Sequence, residues 1–297
     1  MDATNALSIF GETHTGNRKH NEDYFEADAK HSLAIVADGM GGYAGGEVAS
    51  GVCKILVSAV QAGYGLAEAI GSAHAAVKKE ARLDADKEGM GSTVVALKAI
   101  GSEYTIAWVG DSRAYLWDGD LKQLTCDHSY VEELFKAGVI TAENLANHPE
   151  KNAITQAVGV AGQNGLDIGL IEGRIGKGEQ ILLCSDGLTD EVPDVEIAQL
   201  LARSTTPQSA VDSLVAAAVE AGGHDNITVV LVTANKGDAP GSHPDAVATS
   251  KLSGETVRHH HQQPLHRPKR PIQPIYWGLG ITTIILAMAI GFYYLNP

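Results

Sequence analysis

The chain has 297 residues, 44% apolar and 20% charged, which fits a folded protein of one large domain or two small ones with ample material for a core. Its formal charge of −14 is uneven: residues 1–235 carry 16 Lys+Arg against 33 Asp+Glu, or −17, while 236–297 carry 6 against 3, or +3. The acidic part argues against nonspecific binding to nucleic acid, and three cysteines without paired spacing argue against a disulfide framework and suit a reducing cytosol.

In chain order, the first 20 residues lack the apolar segment of a signal peptide. Short apolar or alternating runs predict strands at 33–37, 93–99, 104–109, 114–117, 121–124, 168–174, 181–184 and 227–233. Helices are predicted at 49–62, 66–83, 130–137, 195–202 and 210–221. Asp118-Gly119, between 115–117 and 121–124, marks a hairpin. Strands that follow one another through hairpins favour an α+β class, an antiparallel β core covered by helices, over a doubly wound parallel sheet. No internal repeat is evident.

Beyond this globular part, 1–235, residues 236–274 carry scattered Pro and Gly without hydrophobic periodicity and read as a flexible linker with a span of roughly 35 Å. Its His259-His260-His261 run and His266 offer weak metal binding, but a solvated, partly charged linker is the favoured reading. No residue from 271 to 297 is charged, and 275–295 provide 21 residues, enough at ~1.5 Å each to cross a ~30 Å hydrocarbon layer. Tyr276 and Trp277 at one end and Tyr293 and Tyr294 at the other suit the two interfaces. Arg258, Arg267, Lys269 and Arg270 precede the span and no positive charge follows it. The expectation is a single-pass, tail-anchored protein of the inner membrane with its domain on the cytoplasmic face, rather than a buried C-terminal helix.

Three aspartates lie at strand ends far apart in the chain. Asp38 follows the run 33–37, Asp186 follows 181–185, and Asp225 precedes 227–233 through Asn226. A carboxylate at the rim of a buried strand is costly unless something positive receives it. Several such rims converging on one point make an oxygen-lined cage for a hard divalent cation. Asn21-Glu22-Asp23 adds acids just after Arg18, whose planar fork of donors matches two phosphate oxygens. Carboxylates for metal and an arginine for an oxyanion point to chemistry on phosphate. An Asp-Gly pair by itself reads as a turn. The glycines around Asp38 (Gly39, Gly41, Gly42, Gly45, Gly46) and before Asp225 (Gly222, Gly223) shift that reading, because they let backbone approach a ligand closely. No cysteine heads a Cys-x5-Arg loop, which argues against a cysteine-based phosphatase. Adjacent Asp127, His128 and Ser129 are ill placed for a relay triad, and His128 and Ser129 suit capping of the next helix better.

Read in order, RKHNED at 18–23, VADGMGG at 36–42, GSTV at 91–94, VGDSR at 109–113, LTCDHS at 124–129, HPEKNAITQAVG at 148–159, LCSDGLT at 183–189 and DNIT at 225–228 resemble the bacterial branch of the metal-dependent serine/threonine protein phosphatases, the protein phosphatase 2C family. The resemblance covers about residues 5–235. It implies an antiparallel β-sandwich flanked by helices on both sides, an α-β-β-α order, with a metal centre at one end. It implies that Asp38 bridges two Mn2+ or Mg2+ ions, that Asp186 and Asp225 complete the first ion's shell, and that the Gly39 carbonyl ligates the second. Asp111, sharing Asp186, would hold a third and weaker ion, Glu22 and Asp23 would hold metal-bound waters, and Arg18 would grip the substrate phosphate. The implied reaction is hydrolysis of phosphoserine and phosphothreonine in proteins by a dimetal-activated water, without a side-chain nucleophile.

Eukaryotic relatives carry a histidine after this Asp-Gly as a proposed general acid. Met40 stands there and cannot donate a proton, while His14 and His20 read as ordinary surface histidines. Residues 137–151 fall where the family carries a mobile flap, expected to bias substrate choice. With the anchor, membrane kinases of the eukaryotic type and their phosphorylated partners are the expected substrates. Two other readings are a catalytically weak phosphoprotein-binding module of the same fold and a phosphoesterase for small molecules. The intact set Asp38, Asp111, Asp186 and Asp225 argues against the module.

Overall fold

The computed structural model describes residues 7–41, 45–83, 89–145, 148–160, 165–235 and 248–251. Its strands are β1 (Leu7–His14), β2 (Asp23–Asp28), β3 (Leu33–Met40), β4 (Gly91–Ser92), β5 (Val94–Ile100) and β6 (Glu103–Val109). They continue with β7 (Arg113–Trp117), β8 (Leu121–Gln123), β9 (Asp167–Arg174), β10 (Gln180–Cys184), β11 (Ile227–Ala234) and β12 (Ala248–Lys251). The helices are α1 (Gly45–Gln61), α2 (Leu66–Leu83), α3 (Tyr130–Lys136), α4 (Ala142–Leu145), α5 (Asp186–Thr189), α6 (Asp194–Arg203) and α7 (Pro207–Ala221).

The strands form two antiparallel sheets, one in the order β1-β11-β10-β7-β8 and one in the order β12-β9-β6-β5-β3-β2, with β4 paired to β3. The side-chain period of two then sorts the apolar residues into three layers. Ala34 and Val36 of β3 join Val95, Trp108, Leu183 and Val230 between the sheets. Their neighbours Leu33, Ile35 and Ala37 pack with Val52 and Leu56 of α1 and Ile70 of α2. On the opposite outer face, Leu182, Val229 and Leu231 pack with Ile197 of α6 and Val211 and Leu214 of α7. This is the expected α-β-β-α sandwich. Strands buried on both faces explain why 33–37 and 227–233 read as continuous apolar runs rather than alternating ones.

Every predicted strand and helix is present, with ends displaced by a few residues at most. The N-terminus of α7 reaches back to Pro207 because Thr206 caps it, in a reciprocal pair of bonds with Ser209. Four strands were not foreseen, the two-residue β4 and three longer ones. β1 and β2 carry polar or charged alternate residues and become strands by pairing with β11 and β3. β12 lies within the stretch expected to be linker and covers the edge of β9. The rest of that linker and the expected span 275–295 lie outside the described residues. Among the described residues no helix is long and apolar enough to cross a membrane.

Candidate active site

Strand register gathers the acids. β2 and β3 pair so that Asp23 stands directly opposite Asp38. β3 runs on through Asp38-Gly39 to Met40, so this Asp-Gly is strand rather than turn. Thr93 fixes it there: its backbone N donates to the Asp38 carbonyl at 2.8 Å, and its Oγ1 accepts from the Asp38 N at 3.1 Å. The same Oγ1 meets Ser112 Oγ at 2.7 Å, beside Asp111. Asp186 is the first residue of α5, two residues past the end of β10, and Asp225 lies two residues before β11.

Asp23 is buried, and its Oδ2 accepts from Ser185 Oγ at 2.8 Å and from Thr228 Oγ1 at 2.6 Å. Burial pushes its carboxyl up to about 6, with the two hydroxyls pulling it back and Asp225 adding to the rise. Asp111 is pushed up to about 7, by burial first and then by Asp127, against the pull of Arg113. Asp38 lies well above the usual carboxylate range, by burial and then by the charges of Asp23, Asp186, Asp111 and Asp225. Asp186 does too, by burial and then by Asp111, Asp190, Asp225 and Asp23. Asp38 and Asp186 nonetheless keep part of their surface open to solvent.

As they stand, no three carboxylate, imidazole or thiol groups among the described residues converge tightly enough to hold an ion. Other partners hold two of the acids: Arg18 Nη2 donates to Asp225 Oδ2 at 2.6 Å, and hydroxyls hold Asp23. The donor set still fits divalent cations. It is all oxygen, it is crowded with like charge that a cation would relieve, and Asp23 Oδ1 and Asp186 Oδ1 are buried without a partner among the described residues. Gly39 stands where backbone approaches backbone, since a Cβ there would lie 2.1 Å from the Gly45 carbonyl oxygen.

The structure places the other expected residues as follows. Arg18 is exposed and its Nε donates to the His224 carbonyl at 3.0 Å. The Glu22 backbone N donates to Asn226 Oδ1 at 2.7 Å, and Asn226 Nδ2 donates to the carbonyls of Thr15 at 2.9 Å and His20 at 3.0 Å. Asn226 therefore ties the Arg18 loop to β11, a role that sequence reasoning missed. Asp190 was missed as well. Its four-residue spacing from Asp186 was the available signal. Lys151, the last residue of the expected flap segment, reaches it with Nζ at 2.9 Å, and the adjoining Asn152 with Nδ2 at 2.6 Å.

Asp127, His128 and Ser129 form no triad. Asp127 receives the Arg113 guanidinium, with Nη2 to Oδ2 at 2.7 Å, and the Ser129 side chain caps α3. His128 does not cap, contrary to expectation. It is buried, its Nδ1 accepts from the Gly110 N at 3.2 Å, and its ring stacks on Trp108. His14 is exposed and its Nδ1 accepts from the Gly16 N at 2.9 Å.

A family model described as Protein phosphatase 2C matches residues 10–220. The serine/threonine phosphatase stp of Listeria innocua is 39% identical over 233 residues, covering 73% of this chain and 92% of that protein. Stp1 from Staphylococcus aureus superposes with a TM-score of 0.70 at 32% identity, covering 76% of this chain and 94% of that one. The catalytic domain of PstP, crystallised with two manganese ions, superposes with a TM-score of 0.68 at 31% identity, covering 76% and 97%.

Proposed function

The chain belongs to the protein phosphatase 2C family and is a protein serine/threonine phosphatase, and from that premise we propose that its active site is completed by two or three Mn2+ or Mg2+ ions. Asp38, Asp186, Asp225 and the Gly39 carbonyl would hold two of them, and Asp111 with Asp186 a third. Ions held there would supply an activated water for attack on phosphorus and positive charge to offset that of the phosphoryl group.

The chain's own residues do the rest. Arg18 offers donors to the phosphate oxygens and fixes the phosphorus in line for attack. Glu22 and Asp23 accept hydrogen bonds from water at the site and orient it. Met40 has no proton to give, so the leaving alkoxide takes its proton from water or another group. The observation that carries this reading is the crowding of carboxylates about Asp38 and Asp186: Asp23, Asp111, Asp186 and Asp225 raise the proton affinity of Asp38, and Asp111, Asp225 and Asp23 raise that of Asp186.

Hydrolysis of a phosphopeptide with and without added Mn2+, run beside Asp186→Asn, tests it. The substitution keeps shape but removes a ligand charge, so the rate should fall at least as far as the ~10- to 100-fold typical of losing a supporting group. An undiminished rate in excess chelator would overturn the metal assignment.

Residues 275–295 would anchor the enzyme at the cytoplasmic face of the membrane, a reading supported by their length and lack of charge. A tethered active site is concentrated toward membrane-bound substrates, which favours eukaryotic-type kinases and their phosphorylated partners as targets.

A further inference from the structure

We infer that Glu191 is a positioning residue for Arg18, acting through the backbone of His224. The inference rests on the reading of Arg18 as the group that grips phosphate.

The Glu191 side chain is only 9% exposed, although the His224 ring it holds is 82% exposed. Its Oε1 accepts from the His224 backbone N at 2.9 Å and lies 2.7 Å from His224 Nδ1. The carbonyl of the same residue accepts from Arg18 Nε at 3.0 Å. On the other side, Asn17 N donates to the Gly223 carbonyl at 2.7 Å and Asn17 Nδ2 to the Gly222 carbonyl at 2.6 Å. The turn 222–225 is thus a bridge, bonded to the Arg18 loop along one edge and to Glu191 along the other.

Two consecutive glycines lead into that turn, and glycine resists fixing more than any other residue. Its place therefore depends on the bonds its neighbours make, and a buried carboxylate accepting an N–H is among the stronger of these. Arg18 is 57% exposed on a long stem with much rotamer freedom to lose. An acceptor fixed on Nε orients the guanidinium plane and leaves the edge between Nη1 and Nη2 as the fork for phosphate. Asp225 also holds Nη2, but it is needed as a cation ligand. The His224 carbonyl is neutral and outside the ligand set, so it can orient Arg18 without that competition.

The test compares KM and kcat for a phosphopeptide, and inhibition by inorganic phosphate, in the wild type, Glu191→Ala, Glu191→Gln, His224→Ala, Arg18→Ala and the Arg18→Ala/Glu191→Ala double variant. Glu191→Ala should raise KM and the phosphate inhibition constant about fivefold, the factor carried by one hydrogen bond, with a smaller change in kcat. Glu191→Gln, nearly isosteric and still able to accept from the His224 N–H, should recover most of the loss. His224→Ala keeps the carbonyl and should cost less than Glu191→Ala. With Arg18 already removed, Glu191→Ala should add nothing. Equal effects in both backgrounds, or unchanged constants in Glu191→Ala, would overturn the inference and leave Arg18's role standing. If Arg18→Ala itself changes neither constant, the phosphate reading fails and the inference falls with it.

Discussion

A carboxylate enclosed in this site has two ways to lower the cost of its charge: take up a proton or share a cation. Asp23, pushed up to about 6, shows the balance most plainly, because two hydroxyls support its charge while burial and Asp225 oppose it. His128 titrates in the opposite sense. Burial lowers its proton affinity, with Asp167 partly restoring it and Lys136 adding to the fall. The folded protein then holds fewer protons than the unfolded chain, so this contribution to stability is present above the ordinary histidine value, about 6.5, and is lost as pH falls through it. His128→Asn keeps an acceptor for the Gly110 N–H without a titrating ring. Its unfolding free energy should therefore fall less between pH 7 and pH 5 than that of the wild type. Denaturant titrations at the two pH values check this, and parallel slopes would refute it.

Elements owe their bounds to their neighbours as much as to their own residues. β6 and β9 lock together by setting an aromatic ring over a glycine, Trp108 opposite Gly169 and Tyr104 opposite Gly173. A Cβ at Gly169 would lie 2.1 Å from Trp108 Cε2, and Trp108 is fully buried with its Nε1 donating to the Cys126 carbonyl at 2.8 Å. The ring has no space to yield, so Gly169→Ala should cost about 1–3 kcal/mol of stability, read as a lowered denaturation midpoint with an unchanged slope. The segment after α3 holds the short α4 and then Lys151 and Asn152, which reach Asp190 beside the acidic cluster. Exchanging residues 137–151 with those of a related enzyme should change peptide preference while sparing hydrolysis of a small phosphate ester. Identical preference before and after the exchange would remove that region from substrate choice. Where burial covers both faces, as in β3 and β11, apolar runs made the strands legible in sequence. β1, β2 and β12 were not legible because edge strands with polar alternate residues are defined by the partner they meet.

At the scale of the molecule, a strongly acidic globular part is joined to a basic, proline-rich stretch and an uncharged apolar tail. Deleting 272–297 should leave hydrolysis of a soluble phosphopeptide intact and weaken dephosphorylation in cells. Equal performance of the truncated enzyme in cells would assign the tail another purpose. The sequence by itself determined an antiparallel β core covered by helices, because apolar period and turn chemistry are local and survive in one dimension, and its resemblance to a known family implied that the core is a sandwich. It also supplied Arg18, Asp38, Asp111, Asp186 and Asp225, through motifs whose order matches a known family. Only the tertiary structure decided what those residues meet. Asp23 touches Thr228 across 205 positions, and Arg18 touches Asp225 across 207. Such contacts follow from strand register and from which loops share one end of the sandwich. The folded chain sets both cooperatively, so no window of sequence contains them.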